Sequence, residues 1–282
     1  MSGRLVVLGS VNSDLTVRVA RHPLPGETLL GGDLSTGLGG KGANQAAAAA
    51  RMGVAPLFLG AVGTDAVGDT LRSGLAAAGV DVSALATVDG PSGVALITVA
   101  DDGENTIVVA AGANDRVDAA TVRDTVSALD ADDVVLAQLE VPLDVVSTAS
   151  SSTSARFVLN LSPARDVPAP LLAACDPLIV NETEAALIAG DGSPEELVQR
   201  LRPRVRSVVL TLGGDGALVA DGEGMRHHPA PQVEVVDTTG AGDAFAGALA
   251  AALARGAALN DAAAAGVAAG AEAVQWVGAQ PR

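Results

Sequence analysis

Short apolar runs alternate with stretches of helical period along most of the chain. Arg4–Gly9, Ala55–Gly63, Val134–Leu139, Phe157–Leu161, Leu178–Val180 and Ser207–Leu212 are too short for typical helices and rich in branched residues, the pattern of buried strands. Ala46–Met52, Asp65–Ala78 and the Ala/Leu-rich run ending at Leu253 carry the 3.6-residue period of helices. Strands alternating with helices predict an α/β fold: a three-layer α/β/α core around a mostly parallel sheet. Two stretches break the rhythm. Leu15–Val19 and Glu27–Thr36 alternate polar and apolar residues around Pro23, Pro25 and Gly26, while Val94–Ala100 and Thr106–Ala111 flank the turn Asp101-Asp-Gly-Glu-Asn105. They predict a small β-sheet lid formed by 13–38 and 91–111, over a core of 1–12, 39–90 and 112–282.

The candidate chemistry collects where strands end. Ser10-Val-Asn12-Ser-Asp14, Gln138-Leu-Glu140, Asn160-Leu-Ser-Pro163, Asn181-Glu-Thr-Glu184 and Gly213-Gly-Asp-Gly216 each follow a strand, and the carboxyl edge of a parallel sheet is where α/β proteins bind ligands. The sharpest segment is Asp237-Thr-Thr-Gly-Ala-Gly-Asp243. Read as a strand (Val233–Val236), a glycine turn and a helix start, it converges backbone N–H groups and the positive helix end on one point, an anion site. A carboxylate there competes with the anion unless its task is to take a proton from the attacking hydroxyl. Helix capping alone would account for Asp243 but not for Gly240 and Gly242 as well. Gly37-Leu-Gly39-Gly40-Lys41-Gly42-Ala-Asn44 holds a formal G-x-G-x-x-G, yet lacks the buried strand a dinucleotide fold places before it, and Gly42 stands where a P-loop needs Ser or Thr. It reads as a glycine bed beside Lys41 and Asn44 for a small polar ligand.

Composition narrows the function. Net charge is −16 with 17 Lys and Arg, which argues against nucleic acid and anionic membrane as partners. No apolar run is long enough to span a bilayer, the start lacks signal-peptide anatomy, and Cys175 is the only cysteine, so a cytoplasmic protein without disulfides is expected. His22, His227 and His228 have no metal-ligand spacing and are assigned to solvated loops.

Together these motifs resemble the ribokinase-like (PfkB-type) family of carbohydrate kinases. The likeness runs from Asn12-Ser-Asp14 through Gly39–Asn44, Gly103-Glu-Asn, Ala111-Gly-Ala-Asn114, Gln138-Leu-Glu140, Asn181–Glu184, Thr211-Leu-Gly213 and Asp237–Asp243 to Gly278-Ala-Gln-Pro281. It implies ATP-dependent phosphorylation of a sugar, with ribose and its 5-hydroxyl as the leading acceptor. Asp243 would be the base, and the N–H groups of Gly240, Ala241 and Gly242 the anion hole. Asn12, Asp14, Gly40, Lys41, Gly42, Asn44, Glu140 and Asp243 would hold the sugar. Thr211, Gly213, Gly216, Gly242 and Val267 would line the nucleotide, with apolar Val267 beside the adenine. Asn181 and Glu184 would organise Mg²⁺ through water. Asp237, Thr239, Ala273, Trp276, Gly278 and Arg282 would hold a monovalent cation, usually K⁺. Deoxyribose, fructose, adenosine or pseudouridine are alternative acceptors; a nucleoside wants an aromatic platform, and both lid stretches lack Phe, Tyr and Trp. A sugar- or nucleotide-binding protein without catalysis is the alternative of a different class. Exposed lid edges lead to the expectation of a homodimer paired through the lid.

Overall fold

The computed structural model describes residues 3–280. In chain order its main elements begin β1 (Leu5–Leu8), β2 (Asn12–Val19), β3 (Ser35–Gly39), α1 (Lys41–Arg51), β4 (Leu57–Gly63), α2 (Ala66–Ala77), β5 (Leu85–Val88), β6 (Gly93–Ala100) and β7 (Asn105–Ala110). They continue with α3 (Ala119–Ser127), β8 (Val134–Ala137), α4 (Leu143–Ser152), β9 (Arg156–Asn160), α5 (Ala169–Ala174), β10 (Cys175–Asn181), α6 (Glu182–Ala189) and α7 (Pro194–Leu201). The last are β11 (Val208–Thr211), β12 (Ala217–Asp221), β13 (Gly224–His228), α8 (Ala241–Ala254) and α9 (Leu259–Ala273).

Nine strands form one sheet in the order β13-β12-β11-β10-β9-β8-β1-β4-β5, parallel from β5 to β11 and antiparallel over the β11–β12–β13 edge. Side-chain alternation splits each buried strand between two cores. Val6 and Leu8 face the core built with α3 to α7, while Leu5 and Val7 face the one built with α1, α2, α8 and α9. The same division separates Val135 from Leu136 and Val180 from Ile179. This is the three-layer α/β/α arrangement. The chain leaves β1 for β4 and β5 on one side and returns through β8 on the other, so its direction reverses beside β1, the place where open sheets bind ligands.

A separate sheet has the order β3-β2-β6-β7, with β2 and β6 parallel. Its register starts where it leaves the core, Asn12 pairing with both Gly39 and Gly93. Every residue of β7 is exposed, including Ile107, Val108 and Val109. Among the described residues no helix is long and apolar enough to cross a membrane.

Three expectations from periodicity need correction. Only the end of Glu27–Thr36 becomes strand, because Leu30 is exposed and the preceding residues find no ladder. Val233–Val236 forms no strand: the Val236 and Asp237 N–H groups both donate to Val274 O, past the end of α9, and no neighbouring strand accepts the segment. His227 and His228 belong to the edge strand β13 rather than a loop, with His228 Nε2 2.9 Å from Asn260 Oδ1.

Candidate active site

The site depends on one close helix contact. Twelve residues of α8 are buried, nearly all Ala, Gly or Leu, and the helix lies directly on α1. A β-carbon on Gly247 would sit 2.2 Å from Gln45 O and 2.8 Å from Ala48 Cβ, so only glycine permits that approach. Gly42 does the same for α1 against the end of β1, where a β-carbon would lie 2.7 Å from Ser10 N. Small residues thus bring the first turns of both helices to the carboxyl edge of the sheet.

Asp243, 8% exposed in the first turn of α8, is the meeting point. Asn44 Nδ2 donates to its Oδ2 at 3.1 Å, and Gln45 Nε2 donates to its Oδ1 at 2.9 Å. Burial raises the Asp243 carboxyl above the ordinary carboxylate range. Lys41 and the two amide donors oppose that rise, while Glu140 adds to it. A desolvated carboxylate that still ionises has the tuning of a general base. Gly240, which caps α8, adopts the left-handed conformation (φ 78°), and a β-carbon there would meet Ala279 at 2.6 Å. Gly242 has open space where a side chain would project. The Ala241 N–H donates to Thr238 O at 3.2 Å, so in this conformation it is engaged rather than aimed at an anion.

Around Asp243 lies a cavity of about 150 Å³ lined by Lys41, Asn160, Ser162, Ile179, Val180, Asn181, Glu184, Thr211, Gly240, Gly242 and Asp243. Glu140, beyond β8, is tied to the start of α1, accepting from Ser10 Oγ at 2.5 Å and from Lys41 N at 3.0 Å. Asn12 is buried, and its Oδ1 accepts from Asn114 Nδ2 at 2.7 Å. Asp14 packs against Gly39, whose β-carbon would fall 2.0 Å from its Oδ2. Burial first, then the charges of Glu140 and Asp243, push Asp14 from 3.8 to about 7. Gly40, at φ 89°, turns the chain from β3 into α1 against Ser10 and Val11. Of the expected sugar-holding residues, Lys41 and Asp243 line this cavity, Asn44 and Glu140 are hydrogen-bonded to those two, and Asp14 is close enough for its charge to act on Glu140 and Asp243.

The expected nucleotide residues divide. Thr211 lines the cavity. Gly213, with φ 55° and open space beyond, begins a short turn after β11. Gly216 packs on the His228 carbonyl, where a β-carbon would approach to 2.0 Å, and Val267 is buried on α9 in the alanine-rich core. Asn181 and Glu184 stand together as a capping box for α6: Asn181 Oδ1 accepts from Glu184 N at 2.8 Å and Glu184 Oε2 from Asn181 N at 2.9 Å. Capping holds both side chains at the cavity wall while leaving one polar terminus of each free.

A second constellation adjoins the start of α8. Asp237 Oδ1 accepts from Thr239 N and its Oδ2 from Gly278 N, each at 2.9 Å. Burial pushes this carboxyl up, but those hydrogen bonds and Arg18 outweigh it and hold it below the ordinary range. Both oxygens of this carboxylate thus accept from backbone N–H groups, which tie the segment before α8 to the loop after α9. Ala273 and Trp276 pack together with Ala48 and Ala244 just behind it. Arg282 lies outside the described residues.

The amides that organise the centre stand within the sequence motifs at Gln138, Asn160 and Gln280, but the sequence alone gives them no role. Gln45, Gln138, Asn160 and Gln280 join Asn44 and Asp243 through hydrogen bonds of 2.6–3.1 Å. The signal in the chain is their place: Gln138 and Glu140 lie in the short segment that follows the buried run Val134–Ala137.

The pfkB family carbohydrate kinase pattern matches residues 2–282. The chain is 36% identical to the ribokinase of Haemophilus influenzae over 290 aligned positions, covering 99% of this chain and 95% of that protein. Its fold superposes on the crystal structure of the Thermotoga maritima ribokinase with a TM-score of 0.92 at 30% identity, covering 98% and 94% of the two chains. The Arabidopsis thaliana ribokinase, solved in complex with ribose and ATP, superposes with a TM-score of 0.87 at 31% identity, covering 99% and 95%. Fold and sequence agree, and the chain belongs to the pfkB family of carbohydrate kinases.

Proposed function

We propose that this kinase transfers the γ-phosphoryl group of ATP to the 5-hydroxyl of D-ribose, giving ribose 5-phosphate and ADP. The observation that carries the reading is Asp243: a buried carboxylate in the first turn of a helix, held by two amides beside a polar cavity. Asp243 accepts the hydroxyl proton as the sugar oxygen bonds to the γ-phosphorus, and the bond from that phosphorus to the bridging oxygen of ADP breaks. Gly240 and Gly242, with the helix dipole behind them, stabilise the charge on the transferring group. Ala241 joins them once its N–H turns away from Thr238. Asn12, Asp14, Gly40, Lys41, Gly42, Asn44 and Glu140 orient the sugar. Thr211, Gly213, Gly216 and Val267 form the nucleotide side. The small sheet, within 13–38 and 91–111, covers the sugar as a lid over the rest of the chain.

Positioning and charge stabilisation are most of what phosphoryl transfer asks of a protein. Mg²⁺ bound to the ATP phosphates would supply positive charge, and Asn181 and Glu184 would hold its waters with their free termini. Asp237, Thr239, Ala273, Trp276 and Gly278 would hold K⁺ beside the start of α8. Ribose is favoured over a nucleoside because no lid residue is aromatic. The unpaired edge strand β7, apolar at Ile107, Val108 and Val109, supports a homodimer through the lid. ATP turnover measured across pentoses, hexoses and nucleosides, with and without K⁺, tests the assignment. Ribose as the best acceptor is the expected result; a strong preference for a nucleoside would overturn it.

A further inference from the structure

Among the described residues Gln45 is the only fully buried polar side chain hydrogen-bonded to Asp243, and each of its polar atoms has a partner. Its Nε2 carries two hydrogens, one directed to Asp243 Oδ1 at 2.9 Å and one to Asn160 Oδ1 at 3.0 Å. Its Oε1 accepts from Gln138 Nε2 at 2.6 Å. Rotating the amide would set Oε1 against the Asp243 carboxylate and Nε2 against another donor, so Asp243 fixes which end of Gln45 faces the site and Gln138 tethers the other end. Space for Gln138 comes from Gly9, where a β-carbon would lie 2.0 Å from Gln138 Oε1. That oxygen has no hydrogen-bond partner among the described residues, so the contact with Gln45 is what orients Gln138.

We propose that Gln45 is a positioning residue for phosphoryl transfer: locked by Gln138, it holds the Asp243 carboxylate ionised and turned so that Oδ2 and the remaining lone pairs face the sugar hydroxyl. This rests on Asp243 being the base. Asn44 does not replace it: Asn44 is a proposed sugar ligand whose Oδ1 accepts from Gln280 Nε2 at 3.0 Å, whereas Gln45 is fully buried and bonded only within the protein. Charge-assisted donation inside a desolvated site is worth more than at a surface. The donor should matter most where Asp243 must ionise, in the lower part of the working pH range.

The test compares wild type with Gln45→Met, which keeps length and volume without the donor, in steady-state kinetics with ribose and ATP across pH. We expect kcat at neutral pH to fall by roughly 10–100-fold, the range of a lost charge-assisted hydrogen bond, while KM for both substrates stays within about threefold. The acid limb of the kcat profile should move up by about one pH unit, so that the deficit shrinks as pH rises. Gln138→Met, which frees the Gln45 amide without deleting it, should shift the limb in the same direction by less and serves if Gln45→Met does not fold. An unmoved acid limb in whichever variant folds, or a deficit of equal size at every pH, would overturn the proposal. Absence of sugar-kinase activity in the wild type would instead sink the assignment on which it rests.

Discussion

Asp14 carries a stability cost that its replacement should relieve. Its carboxyl is raised from 3.8 to about 7 by burial and by the neighbouring charges of Glu140 and Asp243, and no hydrogen bond opposes that rise. The folded chain therefore holds this proton more tightly than the unfolded chain. Between about pH 4 and 7 the folded state binds more protons, so its stability falls as pH rises, and the loss is complete above about pH 7. A shift of about three units corresponds to about 4 kcal/mol at 1.36 kcal/mol per unit. Asp14 is only partly buried, and solvent screening reduces this to roughly 1–3 kcal/mol. Asn cannot ionise, so Asp14→Asn should melt about 2–10 °C above wild type near pH 8 in the absence of sugar, at the few degrees per kcal/mol expected for a chain of this size. Near pH 4.5 the two should nearly coincide. The same substitution removes a proposed hydroxyl acceptor, so ribose should raise the melting temperature of wild type and not of the variant. Circular dichroism melts at several pH values, with and without ribose, decide the matter. A variant no more stable than wild type at pH 8, or a gap independent of pH, would refute the reasoning.

Asp243→Asn should preserve ribose and ATP affinity while slowing turnover by about 10²–10⁴-fold; binding calorimetry beside steady-state kinetics checks it, and unchanged turnover would remove Asp243 as base. Gly240→Ala forces a left-handed residue with a β-carbon 2.6 Å from Ala279, so it should lose at least about 1–2 kcal/mol of stability, whereas Gly242→Ala, with nothing within 4 Å, should keep its melting temperature and lose turnover. Asp237→Ala strips the acceptor from two backbone N–H groups at 2.9 Å. It should lower stability by roughly 1–3 kcal/mol and abolish stimulation by K⁺; full retention of the K⁺ response would exclude Asp237 as a cation ligand.

What could be read from the chain and what could not divide along the range of the interactions. Strand ends are local. A buried run such as Val134–Ala137 followed by Glu140 places a carboxylate at a sheet edge whatever lies beside it, and Asn181 at the end of β10 is legible in the same way. Asn12 and Asp14 lie instead within β2, and Thr211 within β11 is marked only by the family resemblance. Period-2 alternation is a weaker signal because it needs a partner. Val233–Val236 has the pattern, but its N–H groups meet the end of α9 instead of a strand, and Glu27–Thr36 alternates in solvent. The amide set lies further still from local reading. Gln45 and Asp243 are separated by 198 positions and meet only because Gly247 lets α8 touch the backbone of α1. The low aromatic content, which in the sequence meant only a core built from close approach, is thus part of the chemistry: larger side chains between α1 and α8 would separate the carboxylate from the donors that keep it ionised. The Asp237–Asp243 segment supplies the proposed base and the glycines, but the carboxyl of Asp243 is tuned from outside it, by burial, by Lys41, Asn44 and Gln45 of α1 and by Glu140 beyond β8. Function in this site therefore belongs to the helix contact as much as to the glycine motif.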